Sequence, residues 1–123
     1  MPKTLNILAV DDVETDRTLI KKVLESLGHS VTAVDSGTKA IEIAKVNRPA
    51  VIFLDVVMPD PDGFKTVRTI CATPGIDDIP VIMCTSKSRE TDREWALDCG
   101  AKGYIVKPAS PDTVKNAIEA ALS

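Results

Sequence analysis

Short, nearly all-apolar runs alternate along the chain with stretches in which apolar residues recur every three or four positions. The run over 5–10 ends at Asp11-Asp12 and reads as a buried strand that stops at two acids. Leu19, Ile20, Val23, Leu24 and Leu27 then fall at helical spacing, and Gly28 is the stop signal. A second strand is expected over 30–34. A modest helix follows over 38–46, with Ala40, Ile41, Ala44 and Val46 as its apolar positions. Val51-Ile52-Phe53-Leu54, four apolar residues in a row, predict a fully buried third strand that ends at Asp55. Pro59, Pro61 and Gly63 forbid its continuation and force a loop. Phe64, Val67, Ile70 and Cys71 mark a third helix, closed by Pro74-Gly75. A fourth strand over 81–84 ends at Thr85-Ser86, and a polar helix over 89–99 ends at Gly100. The fifth strand, 104–106, is halted at Lys107-Pro108. The last helix opens on Ser110 as N-cap, Pro111 at its first position and Asp112 in its first turn. Val114, Ala117, Ile118, Ala121 and Leu122 form its stripe.

Five strands alternating with five helices mean an α/β chain with a parallel five-stranded sheet wound on both faces, because short right-handed crossovers allow little else. By analogy with sheets of this kind, the flavodoxin-like doubly wound (βα)5 order 2-1-3-4-5 is expected. That order makes strands one and three neighbours at the topological switch point, where such sheets keep their ligands.

At 123 residues the whole of 1–123 is expected to be a single domain. Its 44% apolar and 27% charged residues are ordinary for a globular protein. The net charge of -3 gives no footprint for phosphate-backbone contacts, so no nucleic-acid partner is expected. No apolar run approaches membrane-spanning length, and Met1-Pro2-Lys3-Thr4 lacks the h-region of a signal peptide. A cytoplasmic location follows as the expectation. Cys71, Cys84 and Cys99 are odd in number and widely spaced, so they read as small buried apolar residues rather than a disulfide framework or zinc site.

Chemistry collects at the strand ends. Asp11, Asp12 and Asp55 meet at one crevice in the expected order, where their mutual repulsion calls for a cation. Oxygen ligands without His or Cys favour a hard ion, Mg²⁺ before Ca²⁺. Acids, a metal and a carboxylate at a strand end suit phosphoryl transfer to Asp55. Thr85 adds a hydroxyl and Lys107 a cation, both able to bond phosphoryl oxygens.

Asp11-Asp12, Asp55 with Pro59 and Asp62-Gly63 behind it, Thr85-Ser86, and Tyr104-x-x-Lys107-Pro108 together resemble the receiver domain of bacterial two-component response regulators. The resemblance covers the whole chain in order. It implies a phosphorylation-activated switch rather than an enzyme acting on other molecules. Asp55 would accept a phosphoryl group from a sensor histidine kinase or phosphotransfer protein. By the same resemblance Asp12 and Asp55 would bind Mg²⁺ directly, Asp11 through water and Val57 by its backbone carbonyl. Thr85 and Tyr104 would form the switch pair, with Ser86 and Lys107 beside the phosphoryl group. Val57 and Lys87 would flank the crevice and set the rate of hydrolysis. Lys107-Pro108 would be a cis peptide, which X-Pro bonds tolerate at modest cost. Arg93, Leu97, Tyr104 and Val106 would share a partner surface formed by helix four, strand five and helix five. The stretch from Glu90 to Trp95, before Gly100-Ala101, is similar to stand-alone regulators of twitching motility and chemotaxis.

The chain departs from the family where Asp60 and Pro61 replace the usual Gly and apolar residue, and where Ser86 replaces the usual Ala. Asp60 is expected to point outward from a solvated turn. Taken singly, each residue has a plainer reading: an Asp-Asp pair caps a helix, Thr85 fills a strand, and Lys107 is a loop charge. Tyr104 and Trp95 would be packing residues, His29 an exposed loop residue, and the charges from Lys87 to Glu94 a solvated face. Two other functions stay open. A Mg²⁺-dependent phosphohydrolase with an Asp nucleophile would want an acid two residues later, where Val57 stands. A receiver-like scaffold that takes no phosphate is disfavoured because the acceptor and ligand positions are filled. With nothing after Ser123, the module is expected to act through another protein or to be a piece of a longer chain.

Overall fold

A computed structural model describes residues 4–123. The reading of Met1, Pro2 and Lys3 as lacking a leader lies outside them. The elements follow in strict alternation: β1 (Asn6–Val10), α1 (Glu14–Ser26), β2 (Ser30–Val34), α2 (Gly37–Asn47), β3 (Val51–Leu54), α3 (Gly63–Cys71), β4 (Val81–Thr85), α4 (Glu90–Asp98), β5 (Gly103–Val106) and α5 (Pro111–Leu122). The strands form one sheet in the order β2-β1-β3-β4-β5, and every pair is parallel. This is the flavodoxin-like arrangement expected from the alternating pattern.

The period of two along each strand divides the core between the two faces. Leu8 and Val10, Ile52 and Leu54, Val81 and Met83 face one side, where Ala40 and Ala44 of α2, Val67 and Ile70 of α3, and Ala96 of α4 meet them. Ile7 and Ala9, Val51 and Phe53, Ile82 and Cys84 face the other, against Ile20 and Leu24 of α1 and Val114 and Ile118 of α5. All four residues of β3 are buried, which explains why its sequence shows no alternation. Each large side chain so buried contributes about 1.5–3 kcal/mol.

Polar residues set the helix ends. Ser36, Asp62 and Ser110 cap α2, α3 and α5 by accepting from the N–H groups of Lys39, Lys65 and Thr113. Gly28 ends α1 with φ of 91°, a left-handed conformation that glycine adopts without penalty.

Several apolar residues that fall at helical spacing are not buried. Val46 is 81% exposed, because α2 buries only its small Ala40 and Ala44 face; Leu19 and Leu122 also stand largely in solvent. His29 is half-buried rather than exposed, since its Nδ1 accepts from the N–H of Leu5 and ties the loop to the start of β1. Asp92, within the charged run read as solvated, is buried and accepts from Arg89 Nε at 3.2 Å. Among the described residues, no helix is long and apolar enough to cross a membrane.

Candidate functional site

Strand register brings the polar residues together. Val10 of β1 pairs with Leu54 of β3, so Asp11 and Asp55 leave the sheet side by side. The Asp55 N–H donates to the Val10 carbonyl at 3.0 Å, and the Asp11 N–H donates to that of Val34 at 3.2 Å. On the other flank Leu54 pairs with Met83 and Thr85 with Val106. The Lys107 N–H donates to the Thr85 carbonyl at 2.8 Å, which sets Lys107 on the same edge. Behind Asp55 the loop folds back tightly, with the Gly63 N–H donating to Val56 O at 2.9 Å. A Cβ on Gly63 would drive into the Asp55 carbonyl and Val56 Cα, so only glycine lets α3 start there.

Asp11 and Asp55 are buried, whereas Asp12 is exposed. One carboxylate oxygen from each of the three lies within 4.8 Å of the others. Asp11 Oδ1 accepts from Val13 N–H at 2.9 Å, and Asp55 Oδ1 from Val57 N–H at 3.2 Å. Lys107 Nζ donates to Asp11 Oδ2 at 2.7 Å, Asp16 Oδ2 at 2.9 Å and Asp55 Oδ2 at 3.1 Å. Burial pushes the Asp11 carboxyl above the ordinary range, aided by the charge of Asp55 and opposed by Lys107 and the Val13 N–H. Burial works against the Lys107 charge, yet its bonds to Asp11 and Asp16 and the charge of Asp55 outweigh it, so the ammonium titrates above its usual range.

Thr85 is fully buried, and its Oγ1 accepts from the Lys87 N–H at 3.3 Å. The half-buried Tyr104 donates its hydroxyl to the Lys87 carbonyl at 2.8 Å. Both residues therefore hold the same backbone unit. Ser86 is exposed at the rim of a cleft of about 380 Å³ that also takes in Asp16, Leu19, Cys84 and Pro108. Lys107-Pro108 is cis, and so is Asp60-Pro61, which the sequence reading did not anticipate. Asp60 points outward and pairs with Lys65 Nζ at 2.8 Å.

The sequence reading missed two residues here. Asp16 projects from the first turn of α1 onto Lys107, and Arg17 Nη1 donates to the Asp11 carbonyl at 2.9 Å. An acid in a first turn serves the helix dipole, which hid Asp16; its position one turn beyond Asp12 was the available signal. On the opposite side, Phe64 and Trp95 meet edge to face at 6.3 Å, with the Arg68 guanidinium 5.4 Å over the indole.

Three convergent carboxylates with oxygen donors alone fit a hard divalent cation, so Asp11, Asp12 and Asp55 could hold a metal. The chain matches the response regulator receiver domain over residues 7–119. It is 35% identical over 117 residues to protein PilH of Pseudomonas aeruginosa, covering 95% of this chain and 97% of that one. It is 34% identical over 110 residues to the two-component response regulator ORR3 of Oryza sativa subsp. indica, covering 89% and 84% of the two chains. Its fold superposes on chemotaxis protein CheY4 of Vibrio cholerae with a TM-score of 0.88 at 28% identity, covering 97% of this chain and 99% of the other. The receiver domain of sensor histidine kinase PA1611 from P. aeruginosa, a structure with a magnesium ion coordinated in its active-site cleft, gives 0.88 at 30% identity over 98% of both chains. With the acidic crevice, its lysine and the parallel sheet beneath them all in place, the chain belongs to the response regulator receiver domain family.

Proposed function

We propose that this receiver domain works as a phosphorylation-dependent switch in which Asp55 accepts the phosphoryl group. The observation that carries the reading is the convergence of Asp11, Asp12 and Asp55 on one crevice with Lys107 across it. A carboxylate oxygen of Asp55 attacks phosphorus, the P–N bond to a donor histidine breaks, and the imidazole leaves with its electron pair and takes up a proton. Asp11, Asp12 and Asp55, with the Val57 carbonyl, would hold Mg²⁺. When bound, that ion neutralises charge between the acceptor carboxylate and the incoming phosphoryl oxygens.

Lys107 supplies a positive donor on the other side of the crevice, and Thr85 a hydroxyl. In the unmodified protein the Thr85 oxygen is occupied by the Lys87 N–H. Once Thr85 turns its hydroxyl to a phosphoryl oxygen, that N–H loses its acceptor, and the segment Tyr104 grips by its carbonyl is freed to move. The change would reach the surface of α4, β5 and α5, where Leu97 and Val106 are exposed and Tyr104 is half-buried. Exposed apolar residues on such a face suit a transient partner in the cytoplasm.

A phosphohydrolase is less well supported, because Val57 stands where its second acid would be needed. Acetyl phosphate with Mg²⁺ should add one phosphoryl group detectable by mass spectrometry, and Asp55→Asn should abolish it. Label persisting in that variant, on Asp12 or Asp60, overturns the assignment. Thr85→Ala should still accept the group yet lose the phosphorylation-dependent gain in partner binding; a normal gain would mean that another face carries the output.

A further inference from the structure

An ammonium has three N–H donors, and each of those on Lys107 already has a carboxylate. Two of the three acids belong to the crevice. The third, Asp16, lies outside the group whose oxygens converge within 4.8 Å. Its side chain is 36% exposed and sits on the first turn of α1. The bonds to Asp11 and Asp16 are shorter than the bond to Asp55, so the ammonium is anchored toward α1 and leans on Asp55.

We propose that Asp16 is a positioning residue that holds the Lys107 ammonium on the α1 side of the crevice and thereby limits how readily it follows a phosphoryl group on Asp55. The inference rests on the reading of Asp55 as acceptor. A lysine with every donor satisfied must release one acceptor before it can bond a new oxygen. Asp55 would itself carry the phosphoryl group and Asp11 is buried beside it, so Asp16 is the acceptor outside the crevice that draws Lys107 away from a new oxygen. Asp16 also adds a negative charge at the crevice mouth, which attracts a divalent cation and repels a phosphoryl group. Its removal therefore weakens the first and strengthens the second. A carboxylate that only braced α1 would loosen both together.

Wild type, Asp16→Asn and Asp16→Glu are compared. Mg²⁺ is titrated alone by NMR, then beryllium fluoride, a phosphoryl stand-in, is titrated at saturating Mg²⁺. In Asp16→Asn the Mg²⁺ Kd should rise about two- to five-fold, the scale of a half-exposed ion pair, and the beryllium fluoride Kd should fall by a similar factor. Asp16→Glu should return both toward wild type. The Lys107 ammonium resonance, sharp in wild type because its protons are bonded, should broaden in unliganded Asp16→Asn and sharpen again with beryllium fluoride. Both constants moving in the same direction, neither moving, or an unaltered Lys107 resonance overturns the proposal. If wild type binds Mg²⁺ but no beryllium fluoride, the acceptor reading fails first and this inference falls with it.

Discussion

Lys107 is the cation around which the crevice acids are arranged, and Lys107→Met removes the charge while keeping most of the stem. The substitution leaves Asp11 and Asp55, whose side chains are 4% and 7% exposed, without their positive partner. Stripping one partner from a buried ion pair costs about 3–5 kcal/mol. Lys107 is itself 20% exposed and Asp16 36%, so water softens the loss, and about 2–3 kcal/mol is expected. For a domain of this size that is a fall of about 8–12 °C in Tm. The dependence on pH carries a sign. Asp11 already titrates above its ordinary range, and losing the Lys107 bond pushes it further up. An acid raised in the folded state costs nothing below its unfolded value of about 3.9 and costs progressively more as pH climbs through the folded value. The deficit of Lys107→Met should therefore be largest near pH 7.5 and shrink toward pH 4.5. Urea unfolding followed by circular dichroism in EDTA measures this directly. A deficit that is negligible at pH 7.5, or constant down to pH 4.5, would mean that Lys107 does not hold these acids together.

Two other perturbations separate steric from electrostatic control. Gly63→Ala should cost about 3 kcal/mol in urea unfolding, since its Cβ meets the Asp55 backbone, while Gly28→Ala, strained but with open space around it, should cost about 1 kcal/mol. Burial pushes the Cys84 thiol up to about 12, so in native protein at pH 8.5 it should alkylate with iodoacetamide at least about a hundredfold more slowly than in urea, with half-buried Cys71 reacting first. The stability this thiol contributes is present below its unfolded value of about 8.5 and is lost as pH rises toward 12.

Much of the architecture was legible because its signals are local. The apolar runs ending in Asp11, Asp55 and Thr85 needed only strand periodicity and a breaker, and Ser110-Pro111-Asp112 carried its own helix start. What escaped depends on partners distant in the chain. Val46 has helical spacing, but it stays 81% exposed because α2 buries its alanine face instead. Arg48 ends α2 in the left-handed region, with φ of 36°, where a sequence reading would look for glycine. Its guanidinium bonds Asp78 and the Gly75 carbonyl nearly thirty residues on, a contact no local pattern encodes. Asp16 was hidden by its plainer local role at a helix start, while its partner Lys107 is 91 residues away; only its place one turn beyond Asp12 was a local hint.

The geometry of the crevice nevertheless follows from the pattern that builds the core. β1 and β3 each end on the residue before an acid, and the register pairs those last residues, Val10 with Leu54. Each strand sends alternate side chains to opposite helix layers, so a slip of one residue would turn Ile52 and Leu54 toward α1 and α5 and Phe53 toward the small alanines of α2. Side chains of such different size cannot exchange places in a close-packed interior without voids or overlap. The packing on both faces thus fixes the register, and the register fixes Asp55 beside Asp11. The separation of the two carboxylates is set by the hydrophobic core rather than by any attraction between them, and their charges would otherwise drive them apart. For that reason the crevice needs a cation, and among the described residues Lys107, delivered by the same parallel register at β5, places its ammonium on both carboxylates.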